Sequence, residues 1–272
     1  MFALGEPTNT PYDLRFNLFG CQVRVSALFW LVAALLGYNH ARAVDYIYDS
    51  RGLDTPGAFV LLLVWLFAMF VSILVHELGH HFAFRFFGID SHIVLYHFGG
   101  LAIPSGGRRS ASTSPYARKL SAYRQIIISA AGPAAQILLA VVVAVIARLA
   151  GYHIGSMASW IDYFGLPAVG GESPNSAVLY ALIDFLIYPS IYWAIFNLLP
   201  VIPLDGGRIA EEIICMFFRG TQRDAIILSM ICAVLITLWA FQRGETFMGM
   251  FFLSFASQYK LLLNVSHLTF HV

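Results

Sequence analysis

The chain has 272 residues, of which 59% are hydrophobic and only 11% charged, with a formal net charge of +1. Soluble domains carry about 25% charged residues, so an ordinary soluble domain is excluded, and the near-neutral charge offers no footing for nucleic acid. Three scattered cysteines, Cys21, Cys215 and Cys232, with no C-x-x-C pair, give neither a disulfide framework nor a cysteine-bound metal. The composition instead predicts an all-α, polytopic membrane protein of about six transmembrane helices.

Residues 1–24 read as a polar N-terminal arm without the basic start and apolar core of a cleavable signal. Within it, Phe16 to Val25 alternates in the manner of a half-buried strand around Gly20. A first span is expected over about 25–41. Three Asp, two Arg and the turn signal Pro56-Gly57 then separate it from a second, 57–87. That span opens with Gly57 to Val75, nineteen residues without a formal charge, and carries His76-Glu77-Leu78-Gly79-His80 near its end.

H-E-x-x-H on a helix puts two imidazoles one turn apart on one face, about 5–6 Å between Cβ atoms, where both can bind one metal ion. Glu77 lies about 100° further round, beside the ion rather than on it, and can act as general base towards water. Two neutral imidazoles with one carboxylate is the usual open catalytic set for zinc. Coincidence is the bland alternative, but three ionisable groups near bilayer depth are costly unless they serve a site.

Residues 88–121 contain Gly99, Gly100, Gly106, Gly107, Pro104 and Pro115, which break any long helix, and His92 to Phe98 has strand propensity. A short β-hairpin or re-entrant loop is expected, with Gly99 and Gly100 able to hold an unwound substrate by strand addition, and a polar tip at Ser110 to Ser114. A third span, 122–150, includes Ala131-Gly132-Pro133; its Pro133 is expected to loosen the helix, and its Gln136 to make an interhelical hydrogen bond or face the site and substrate. A fourth covers 176–199, a fifth 225–241 and a weaker sixth 246–263, followed by a tail, 264–272. The spans and loops between 25 and 263 make one membrane-embedded domain.

The 88–121 loop holds Arg108, Arg109, Arg118 and Lys119 against Asp90, whereas the 151–175 loop has two acids and no base. The 206–224 connection adds Arg208, Arg219 and Arg223. The positive-inside rule then places both termini and access to the site in the cytoplasm, in a cell (inner) membrane. Spans two and four run the same way. His76, His80 and Asn197 fall about 28–35 Å from the outer ends of their spans. Of four acids that could be the third ligand, Glu172 lies on the far side, Asp184 too high in its span, and Asp90 in a turn. Asp205 remains, beside Gly206-Gly207 and after Pro200 and Pro203, which can turn the chain back.

His76-Glu77-Leu78-Gly79-His80, with Asn197-Leu198-Leu199-Pro200 and Leu204-Asp205-Gly206-Gly207, resembles the site-2 protease family of intramembrane zinc metalloproteases, peptidase family M50. The resemblance covers about residues 16–215 and takes in Ala131-Gly132-Pro133 and Gly99-Gly100. It implies a three-helix catalytic core and one zinc per chain on His76, His80 and Asp205. Glu77 would be the general base, with Asn197 holding substrate or stabilising the transition state. The chain departs from the family at Ile202, at Gln136 where asparagine is common, and at His97-Phe98. It looks like a compact form without a PDZ or CBS domain.

The expected activity is hydrolysis within or near the transmembrane segment of a single-pass membrane protein in the lipid bilayer. The alternative is a catalytically silent metal-binding scaffold or transporter, and a lipid hydroxylase is disfavoured by the few histidines. No pattern in the sequence bears on oligomeric state or on the substrate. Among the spare histidines, His81 is expected to pack or bond a backbone carbonyl, and His97 to touch the site only if the loop folds over it.

Overall fold

The computed structural model describes residues 8–97, 99–104, 121–154, 171–218, 220–246 and 248–256. They fall into two compact units, one drawn from residues 1–111 and 131–194, the other from 112–130 and 195–272. The expectations for Ser110 to Ser114, for the four basic residues of the 88–121 loop and for the tail lie outside the described residues, as does part of the sixth span.

The first unit carries a four-stranded sheet in the order β1-β2-β3-β4. Strands β1 (Leu14–Leu18) and β2 (Cys21–Val25) form an antiparallel hairpin over Phe19 and Gly20, whose φ angles are 52° and 82°. The supposed polar arm is therefore ordered structure from residue 14. Its alternation buries Cys21, Val23 and Val25 against Ile93 and Leu95. β2 pairs in parallel with β3 (Ser91–Tyr96), and β3 pairs antiparallel with β4 (Gly99–Pro104), the hairpin expected from the glycine-rich stretch.

Between β2 and β3 run helices α1 (Ala27–Ser50) and α2 (Ala58–Phe86). The Trp65 indole donates to the Ala33 carbonyl at 2.9 Å. At Gly37 a Cβ would stand 2.0 Å from Trp65 Cδ1, so the missing side chain is what lets the tryptophan lie on α1. Helix α1 continues nine residues past the expected end at Ala41. Arg42, Asp45 and Asp49 ended the apolar run but not the helix, because Ala41, Val44 and Tyr48 keep a buried stripe at helical spacing. Tyr48 then donates its hydroxyl to the Pro174 carbonyl at 2.6 Å.

Helix α3 (Ala122–Leu149) runs unbroken through Pro133, and α4 (Ala177–Asn197) through Pro189. In the second unit, a turn over residues 198–204 leads into α5 (Asp205–Phe217), followed by α6 (Gln222–Gln242). A reciprocal cap starts α6: the Thr221 amide donates to Asp224 Oδ2 at 2.7 Å and the Thr221 hydroxyl at 2.8 Å. Residues 248–256 are largely helical, and the Phe196 ring packs on Phe251 and Phe252 at 5.5 and 5.1 Å between centroids.

Five described helices, α1, α2, α3, α4 and α6, are long and apolar enough to cross a membrane. The chain is an integral membrane protein, and its described residues are mostly helical with one small sheet. Helix α5 is the element the sequence reading passed over as a connection. Its Arg208, Glu211 and Glu212 keep it from reading as a span, yet they do not oppose a helix.

Candidate metal centre

Helix α2 supplies three of the expected site residues from its buried face: His76, Glu77 and His80 are 2, 3 and 7% exposed. The His76 and His80 Nε2 atoms face each other at 3.1 Å, with ring centroids 4.8 Å apart. Two imidazoles one turn apart thus turn the same nitrogen to the same point, as their spacing predicted.

Helix α3 meets α2 at that point through two glycines. A Cβ on Gly79 would stand 2.4 Å from the Ala131 carbonyl oxygen. One on Gly132 would stand 2.3 Å from His80 Nε2 and 2.9 Å from His76 Nε2. Glycine at 132 therefore leaves open the space before the two nitrogens, which any other residue would fill. One turn on, Gln136 is fully buried and its Oε1 lies 3.0 Å from His76 Nδ1. Gln136 thus makes an interhelical hydrogen bond, and its partner is a residue of the site.

The hairpin lies over Glu77. At Gly100 a Cβ would stand 2.4 Å from both Cγ and Oε1 of Glu77, so only a glycine lets β4 pass. Gly99 has φ 118°, a conformation that favours glycine, and its missing Cβ would meet Trp193 Cζ2 at 2.7 Å. Tyr96, which sequence reasoning did not single out, is 5% exposed at the end of β3. Its hydroxyl pKa is pushed up to about 12, chiefly by burial and further by the negative charge of Glu77. It therefore stays protonated and can donate.

In the second unit, Asn197 ends α4 and Asp205 is the first residue of α5. Backbone hydrogen bonds from Val201 to Leu199 (2.7 Å) and Leu204 to Val201 (2.8 Å) shape the turn between them, which includes a cis Ile202–Pro203 bond. Gly206 and Gly207 have ordinary negative φ and are needed for proximity instead. Their Cβ atoms would stand 2.1 Å from the Leu198 oxygen and 2.4 Å from the Ile202 nitrogen. The first turn of α5 is packed directly onto the preceding turn, which holds the Asp205 backbone in place.

Two imidazoles and a carboxylate suit zinc; the first unit supplies the imidazoles of His76 and His80, and Asp205 is a carboxylate of the second unit. The facing Nε2 atoms and the opening left by Gly132 fit such an ion. His81 turns away, its Nδ1 2.8 Å from the Ser91 hydroxyl rather than a backbone carbonyl, and His97 packs edge-on to Tyr96 at 5.3 Å.

The model of peptidase family M50 matches residues 64–239. A candidate zinc metalloprotease of Synechocystis sp. is 26% identical over 214 residues, 78% of this chain and 46% of that protein. A second, from Mycolicibacterium smegmatis, is 28% identical over 213 residues, 70% of this chain and 71% of that one. The chain thus spans about half the length of the Synechocystis relative. The solved site-2 protease from Methanocaldococcus jannaschii shares the fold, with a TM-score of 0.52 at 18% identity, over 93% of this chain and 95% of that one.

Proposed function

The chain belongs to peptidase family M50, the site-2 protease family, and on that premise we propose that it cleaves a peptide bond within or near the transmembrane segment of a membrane-protein substrate. The observation that carries this reading is the His76–His80 pair, facing at 3.1 Å on a membrane-spanning helix with Glu77 buried beside it. A silent scaffold would have no need of Glu77, and a transporter would spread its polar groups along a path.

In this reading His76, His80 and Asp205 hold one zinc ion. Bound zinc supplies a Lewis acid that acidifies water to a pKa of about 7 and polarises a carbonyl. Glu77 takes the proton from the attacking water and delivers it to the departing amide nitrogen, so that both products leave neutral at the cleaved bond. Asn197 offers its side-chain amide to the substrate carbonyl as negative charge develops there.

A helical substrate presents no accessible peptide bond, so it must unwind before cleavage. Among the described residues β4 is the last strand of the sheet, and an extended segment can pair along its outer edge, beside Gly99 and Gly100 and directly over Glu77. A single-pass membrane protein is the simplest substrate that meets these demands. In this reading water reaches the site from the cytoplasmic side, the sidedness that the basic loops of the sequence support.

Purified protein in detergent tests the assignment through zinc content and cleavage of a transmembrane substrate. Glu77→Gln should keep about one zinc per chain and lose cleavage by a factor of at least about 10². Asp205→Ala should lose both. Full activity in Glu77→Gln would sink the mechanism, and full zinc content in Asp205→Ala would remove that residue from the ligand set.

A further inference from the structure

Beyond the three ligands, the face of α2 that carries His76 is tied to α3 and α4 by a chain of buried polar groups. His76 Nδ1 lies 3.0 Å from Gln136 Oε1, Gln136 Nε2 lies 2.8 Å from the Ser72 hydroxyl, and Ser72 lies 2.9 Å from the Ser190 hydroxyl. Ser72, Gln136 and Ser190 are all fully buried. Buried polar groups this deep in apolar helices are expensive unless each is satisfied. The set is continuous across three helices, and one of its ends is a residue of the metal centre.

Donor and acceptor chemistry gives the chain a direction. The Oε1 of an amide can only accept, so the proton between it and His76 belongs to Nδ1. That assignment makes Nε2 the unprotonated, lone-pair nitrogen of His76, and it is turned towards His80 Nε2. The amide could in principle face the other way, with its NH2 on His76, which would put the ring proton on Nε2 and block it as a ligand. Ser72 anchors the amide as it stands: Gln136 Nε2 donates to the Ser72 oxygen, and the Ser72–Ser190 contact, with either hydroxyl as donor, holds that oxygen in place, so the amide is gripped at both ends.

The helix register explains why one residue can do this. Gly132 sits by His80, and Gln136, four residues on, sits by His76, four residues back. On antiparallel helices one turn of each brings the glycine to one imidazole and the glutamine to the other. Gly132 makes room, and Gln136 sets the ring.

We propose that Gln136, held by Ser72 and Ser190, is a positioning residue that fixes the tautomer and orientation of His76 and so sets the zinc affinity of the site. This rests on the zinc assignment above. Partners on the far nitrogen of a ligating imidazole typically change metal affinity by about 10–100-fold when removed.

The test is zinc affinity by chelator competition on purified protein, with the cobalt-substituted absorption spectrum as a second readout. Gln136→Met keeps the volume and removes the acceptor. It should weaken zinc by about 10–100-fold and shift the cobalt bands. Gln136→Glu keeps an acceptor at the same reach and should restore affinity to within about threefold of the parent. Ser72→Ala, a small change that frees the amide to flip, should weaken zinc by about threefold or more, and decides alone if Gln136→Met does not fold. Affinity unchanged in Gln136→Met, or in Ser72→Ala where that variant decides, overturns the proposal. Equal weakening in the Met and Glu variants also overturns it, because packing would then account for the effect. A parent that binds no zinc would instead overturn the metal reading itself.

Discussion

Gly100 shows how tightly a single position can be bound to the chemistry. Its absent side chain is the space occupied by the Glu77 carboxylate, at 2.4 Å from where a Cβ would be, with backbone on one side and a buried helix on the other. Gly100→Val should therefore push Glu77 off its position, reducing cleavage by at least about tenfold while zinc stays near one per chain. Parallel zinc and cleavage assays check this, and parent-level cleavage would show that Glu77 does not need its place under β4. At this scale the sequence was informative wherever one helix sufficed. His76, Glu77 and His80 follow from i, i+4 geometry on an apolar run. Gln136, Ser72 and Ser190 meet only once three helices are packed, and no pattern within any one of them encodes which residues end up opposite. Gly206 and Gly207 were read as turn formers, yet their backbone is ordinary and their role is contact.

Elements were legible where hydrophobicity and propensity agreed. The hairpins were visible as alternation around glycines, and α2 and α4 as apolar runs. Where charge intervened the reading fell short: α1 was ended too early at its first charged residues, and α5 was taken for a connection. The β1–β2 hairpin has a polar anchor of its own. Arg24 pairs with Asp13 at 3.3 Å and also bonds Asn9, while Thr10 donates to Asp13 from its amide at 3.1 Å and from its hydroxyl. These hold the Asp13 carboxyl below its ordinary range, first through the Thr10 hydroxyl and then through the Thr10 amide and Arg24, against the opposing effect of burial. Folding thus favours the ionised form. The contribution is present above the unfolded value, about pH 4, and is lost as pH falls through the lower folded value. Hydrogen exchange at β1, corrected for intrinsic rates, should accelerate below about pH 4. Asp13→Asn should show the acid behaviour already at pH 7, and parent-level protection in that variant would refute the anchoring role.

For the molecule as a whole, the sheet acts as a parity check on membrane topology. β2 and β3 are hydrogen-bonded neighbours, yet α1 and α2 lie between them in the chain. Strands in one sheet share one side of the bilayer, so the intervening segment crosses an even number of times, which two helices satisfy. This holds whichever way the protein is oriented, and it agrees with the sidedness read from the basic loops. Reporter fusions at residue 8 and after residue 104 should accordingly report the same compartment, expected to be the cytoplasm, and a fusion after residue 50 the other. Opposite compartments for the first two would contradict the parallel pairing.

That same pairing imposes an order on biosynthesis. The β1–β2 hairpin is complete once residue 25 has been made, but its neighbour β3 ends at residue 96, with two membrane crossings in between. Until those crossings are inserted, the edge from Val23 to Val25 waits with its hydrogen-bonding groups open, exposed to whatever strand is nearby. Closing the sheet is thus a late event that reports successful insertion of α1 and α2. β4 follows both helices in the chain, so the strand that lies over Glu77 is itself made only after α1 and α2.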